Sequence, residues 1–107
     1  SDSTTHVAIL TGTGVKINNA TWKATVTITV KDELGALVPN ATVTGAWSGG
    51  YTGSVSCVTG SVGTCTVSTA SLRKTVLSVT YTVTDITHAT MEYDSPTIQP
   101  SVIINKP

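Results

Sequence analysis

The side chains in this sequence that could do chemistry are few. Cys57 and Cys65 stand on either side of the seven-residue, turn-rich Val58-Thr59-Gly60-Ser61-Val62-Gly63-Thr64. Placed across two strands of a hairpin, the thiols face each other, and closing so short a ring stabilises a fold by about 2.6 kcal/mol on the chain-entropy formula. A disulfide Cys57–Cys65 is therefore expected. The alternative is a reduced pair; zinc is disfavoured, because neither His6 nor His88 lies near the cysteines and there is no Cys-x-x-Cys spacing. Asp85, Glu92 and Asp94 share one irregular stretch, and their hard oxygens are the residues that would hold a calcium ion if one binds; no other cofactor is implied. Tyr51, beside Gly49-Gly50, and Tyr93 are the aromatic rings left over for stacking on a sugar or a fibrous protein. For catalysis the chain has serines but no Gly-x-Ser-x-Gly elbow. Its carboxylates, Asp2, Asp32, Glu33, Asp85, Glu92 and Asp94, all fall in turns or tails where capping accounts for them. No catalytic residue is assigned, and the chain is not expected to be an enzyme.

These residues must be positioned by strands. In Trp22-Lys23-Ala24-Thr25-Val26-Thr27-Ile28-Thr29-Val30-Lys31 the apolar residues alternate with Lys and Thr, the period-two pattern of a half-buried β-strand. Ala41, Val43, Gly45 and Trp47 repeat the pattern in a third strand, and Leu77, Val79, Tyr81 and Val83 in a later one, with Thr between them. Trp22 and Trp47 are the largest core candidates and are expected to pin two sheets together. Between the second and third strands, Asp32 caps a turn, Gly35 supplies a positive φ and Pro39 interrupts pairing. Thr4 to Leu10 reads as a first strand, ended by a turn or bulge at Thr11-Gly12-Thr13-Gly14. Val15-Lys16-Ile17 reads as a short continuation that switches sheets. The pattern breaks from Asp85 to Pro96 and closes with a strand over Ile98 to Ile104. Seven strands spaced about ten residues apart predict an all-β, immunoglobulin-like or fibronectin-III-like antiparallel sandwich. Lys16, Lys23 and Lys31 are expected to block stray edge pairing.

The totals agree with one domain. A chain of 107 residues supports one sheet-on-sheet core. Its net charge of +0 gives no field for phosphate backbones or anionic lipid, so neither nucleic acid nor membrane insertion is expected. Only 11% of residues are charged, against roughly 25% in an average domain, and Thr and Ser supply the polarity instead. That surface suits a secreted or cell-surface module. The polar ends read as linker positions, so residues 1–107 are expected to be one module excised from a larger protein, monomeric and in contact with its neighbouring domains.

The run Val30-Lys31-Asp32-Glu33-Leu34-Gly35-Ala36-Leu37-Val38-Pro39-Asn40-Ala41-Thr42-Val43 resembles the V-x-D-x-x-G-x-x-V-x-x-A-x-V signature of bacterial immunoglobulin-like and invasin-like modules. Taken with Trp22, Trp47-Ser48-Gly49-Gly50, Cys57, Cys65 and Ser78 to Val83, it is similar to accessory modules C-terminal to secreted subtilase-type proteases and other exported hydrolases. The resemblance implies a bacterial, secreted, non-catalytic spacer or stabilising module. The alternatives are a carbohydrate- or fibrous-protein-binding module using Tyr51 and Tyr93, and a cell-surface adhesin repeat. Such modules often carry an Asp-rich loop before the last strand; here Met91 to Pro96 keeps only Glu92 and Asp94.

Overall fold

A computed structural model describes residues 4–93 and 100–107. Among these, nine strands and no helix are formed: β1 (Thr4–Lys16), β2 (Thr21–Asp32), β3 (Thr42–Gly49), β4 (Gly53–Val58), β5 (Thr64–Ser68), β6 (Leu72–Arg73), β7 (Ser78–Thr87), β8 (Glu92–Tyr93) and β9 (Ser101–Asn105). They make two sheets. One has the order β5-β2-β1-β8, with β6 also on β2; the other has the order β4-β3-β7-β9. All pairings are antiparallel except β1 with β8. The sheets stack face to face over a core that takes Trp22, Ala24, Val26, Ile28 and Val30 from β2. The facing sheet contributes Val43 and Trp47 from β3, and Val79, Tyr81, Val83 and Ile86 from β7. The two tryptophans are buried on opposite sheets, as their alternation requires. Each such ring removes roughly 150–250 Å² from water.

The turn after β2 forms as its residues dictate. Asp32 Oδ1 accepts from the amides of Leu34 and Ala36, both at 2.9 Å, and Gly35 sits at φ +85°. Glu33 does something the sequence did not suggest: its Oε2 accepts from the Thr4 amide at 2.7 Å and ties the start of β1 to this turn. That bond holds the Glu33 carboxyl below its ordinary range, so the tie is fully present above that range and is lost only as pH falls through the lowered folded-state value.

Several expectations need correction. Gly12 and Gly14 lie inside β1, not in a turn, and β1 stays on one sheet to Lys16. A side chain on Gly12 would run into Ile104, and one on Gly14 would meet the Asn105 carbonyl oxygen at 2.6 Å. The glycines are there because β9 closes against β1 at backbone distance. The break at Asp85 is a bulge opposite Thr44 and Gly45, after which β7 continues to Thr87 with inward parity moved from Val83 to Ile86. Leu77 precedes the first ladder pair of β7, Ser78 with Asn105, and is 69% exposed. Lys23 and Lys31 sit on β2, a central strand between β1 and β5, so they cannot guard an edge.

Candidate functional site

The disulfide Cys57–Cys65 is formed, with the Cα atoms 5.9 Å apart. The expected hairpin is not. Cys57 lies on β4, opposite Val43 of one sheet, and Cys65 on β5, opposite Ile28 of the other. The bond therefore staples the two sheets along one lateral edge, while the glycine-lined approach of β9 to β1 closes the other. What turns the chain across is Thr59, which is 2% exposed. Its hydroxyl donates to the Val38 carbonyl at 2.7 Å and accepts from the Ala41 amide at 2.9 Å. Its own amide and carbonyl pair with Ala41 and Asn40. With the amide, carbonyl and hydroxyl of Thr59 all satisfied, this one residue of the crossover can be buried between the sheets. Nothing in a Thr between Val and Gly distinguishes such a crossover from a hairpin loop, the commoner structure for so short a connection. Since Thr59 holds the crossover without the covalent bond, a Cys57→Ala/Cys65→Ala chain is expected to keep its fold and lose about 2.6 kcal/mol. Urea midpoints of the two chains check this; coincident curves would show that the staple adds nothing.

Tyr51 lies in the β3–β4 connection and is half-buried. Its ring meets Trp47 edge to face, with centroids 6.1 Å apart at 77°. Trp47 in turn packs on Tyr81, with centroids 4.9 Å apart. Tyr51 thus extends an aromatic stack that begins in the core. Tyr93 is also half-buried against the core, beside Thr5 on the parallel β1–β8 pair. The two tyrosines occupy opposite poles of the sandwich. Trp47 pairs with Tyr81 near the start of β7, whereas Tyr93 sits where Thr5 meets Asp32 at the end of β2. They do not share a surface.

Asp85 and Glu92 lie at the same pole but on different sheets. Asp85 is on β7, its Oδ1 accepting from the Ile86 amide at 2.9 Å, and Glu92 is on β8 of the other sheet. Asp94 lies outside the described residues. Among the described residues no three His, Cys, Asp or Glu side chains gather as a metal site would need.

The buried phenol of Tyr81 has only a long 3.5 Å contact to the Val55 carbonyl, and burial pushes its pKa from 10.0 up to about 12. A tyrosine that ionises late when folded favours the folded state only while it stays neutral. The contribution is complete below pH 10 and is lost as pH rises from 10 to 12. Stability is expected to fall by about 2 to 3 kcal/mol across that interval. A Tyr81→Phe chain should lack this limb in urea titrations at successive pH values.

One concave site was not anticipated from the spacing of residues. At the pole where β1 and β9 end, Lys16, Lys74 and Lys106 line a half-open cavity of about 190 Å³ above Trp22. The Arg73-Lys74 pair is visible in the sequence, but Lys16 and Lys106 are brought to it only by the ladder ends. Among the described residues none of these ammonium groups has a carboxylate partner. No protein-family model, curated protein or solved structure matches this chain. The functional reading therefore rests on the geometry above. Among the described residues no helix is long and apolar enough to cross a membrane.

Proposed function

We propose that this chain is a non-catalytic accessory module of a secreted bacterial multidomain protein such as a subtilase-type hydrolase, and that it spaces and braces a neighbouring domain. The observation that carries the reading is the path of the chain. The described part of β1 starts at one pole, where Thr4 meets Glu92, and β9 ends at the other, where Asn105 meets Ser78. The body between them has extents of 51 × 27 × 18 Å. A rigid rod entered at one end and left at the other holds flanking domains apart, which a fold with both ends at one pole cannot do. The disulfide supports an oxidising compartment. The strand order supports the fibronectin-III-like variant of the immunoglobulin-like sandwich: β4 pairs with β3 on the four-stranded path. In constant-type immunoglobulin domains the fourth strand stays with the first sheet.

The test is a donor and acceptor dye attached at the two ends, read by single-molecule transfer, together with sedimentation on cellulose, chitin and insoluble collagen. A spacer gives one narrow distance distribution and stays in the supernatant. Retention on any of the three matrices would replace this reading by the binding-module alternative, and a broad distribution would remove the rod.

A further inference from the structure

The charges of this neutral chain are sorted along its length. Lys16, Lys23, Arg73, Lys74 and Lys106 fall in the half where β1 and β9 end. Asp32, Glu33, Asp85 and Glu92 fall in the half where β2 and β7 end, with Lys31 the one cation among them. A net charge of +0 thus conceals one cationic pole and one acidic pole. At the cationic pole the three lysines of the cavity arrive on separate segments, at the end of β1, after β6 and after β9. Their backbones are fixed. The Lys74 amide donates to the Ala20 carbonyl at 2.9 Å, the Lys106 amide to the Leu77 carbonyl at 2.9 Å, and Lys106 Nζ to the Lys74 carbonyl at 3.3 Å. Like charges around one hollow, with no carboxylate at ion-pairing distance among the described residues, repel one another, and an anion entering the hollow turns that repulsion into attraction.

The rest of the lining narrows the class of anion. Asn18 spends its Oδ1 on the amides of Ala20 and Thr21, at 2.8 and 2.9 Å, which leaves its NH₂ as a donor. Asn19 and Thr21 add further neutral polar groups, Pro107 adds apolar surface, and the Trp22 ring lies buried beneath them. Ammonium groups beside neutral hydrogen-bonding groups, around a hollow of about 190 Å³, match one hydroxylated ring that carries an oxyanion. A nucleic acid matches less well, because its affinity comes from many phosphate contacts along a basic stripe, and here the cations are confined to one pole with carboxylates at the other. We propose that this pole binds a single acidic sugar residue, a uronate or a sulfated sugar, of an anionic polysaccharide. This goes beyond the spacer reading and does not rest on it. Retention on neutral matrices would overturn that reading and leave this one standing, and the converse holds for the test below.

The test is a ¹H–¹⁵N titration of the whole chain with digalacturonate and, in a second arm, with a sulfated disaccharide. Neutral galactobiose, inorganic sulfate alone and a short DNA duplex serve as comparators. The expected result is that at least one acidic disaccharide shifts the amides of Lys16, Asn18, Asn19, Lys74 and Lys106. Whichever arm binds identifies the oxyanion as carboxylate or sulfate. A Lys16→Gln/Lys74→Gln/Lys106→Gln chain should bind at least tenfold more weakly, while Lys31→Gln at the far pole binds as before. Should the triple chain unfold, Lys74→Gln alone is read for a severalfold loss. The proposal fails if neither acidic disaccharide binds, or if galactobiose or the duplex binds as well. It also fails if inorganic sulfate alone reproduces the shifts at equal concentration, or if Lys31→Gln weakens binding as much as the cavity variants do.

Discussion

A Trp22→Ala chain is expected to lose about 4 kcal/mol of stability, within the range for deleting a fully buried indole. Three features of the site account for a cost of that size. Trp22 is 1% exposed and lies near the end of β2, where it pairs with Lys16 of β1 on one side and Leu72 of β6 on the other. The hole would therefore open between ladder ends that hydrogen bonds already hold in place, and they cannot collapse freely into it. Its Nε1 donates to the Val76 carbonyl at 3.0 Å, so truncation also leaves that carbonyl without its partner. A buried acceptor stripped of its donor costs about 1 to 3 kcal/mol by itself. Trp22→Phe separates the two contributions, since it fills most of the volume and lacks the donor. It should fall between wild type and Trp22→Ala. Urea denaturation followed by Trp47 fluorescence measures both chains, and a loss under about 1 kcal/mol in Trp22→Ala would mean that the ring does not seal this pole.

What alternation alone could reveal, it did. The inward residues of β2 and β3, and Val79, Tyr81 and Val83 of β7, were readable because a strand covered on one face must repeat every second residue, and one register slip would expose the whole set. Asp32 and Gly35 were readable because a turn has few residues that fit it. The misreadings share a different cause. Gly12 and Gly14 signal room for something close by, and a sequence does not say whether that is a tight turn or a second sheet. Cys57 and Cys65 are near in sequence and bonded, yet the partner sheet of each depends on the crossover at Thr59, a decision made by hydrogen bonds to Val38 and Ala41 from twenty residues upstream. Leu77 keeps the parity of β7 but stands outside the ladder, and parity carries no weight there. The lysine-lined cavity was illegible for the same reason as the crossover: Lys16, Lys74 and Lys106 are neighbours only through topology.

Gly45→Ala should cost nearly as much as Trp22→Ala, although it adds one carbon where the other removes a ring. Gly45 sits at an inward position of β3, and the ring of Tyr81 lies directly over its Cα. A methyl group there would run into Cζ and Oη of Tyr81 and meet the Thr82 carbonyl oxygen at 2.6 Å. Neither obstacle yields easily. Tyr81 is wedged by Trp47, and the Thr82 carbonyl belongs to the β7 backbone, flanked by ladder pairs with β3 and β9. Overpacking of this kind costs about 3 kcal/mol when side chains cannot move aside. Gly35→Ala is the matched control, because that glycine has φ +85° and nothing within 4 Å. Its penalty is backbone strain only, about 1 kcal/mol. A second comparison identifies the obstacle. In a Tyr81→Leu background Gly45→Ala should cost less than in wild type, because only the carbonyl clash remains, and the difference is the coupling between the two positions. Equal costs in both backgrounds would assign the clash to the backbone alone. Equal costs for Gly45→Ala and Gly35→Ala would show that the aromatic stack does not rest on Gly45 at all.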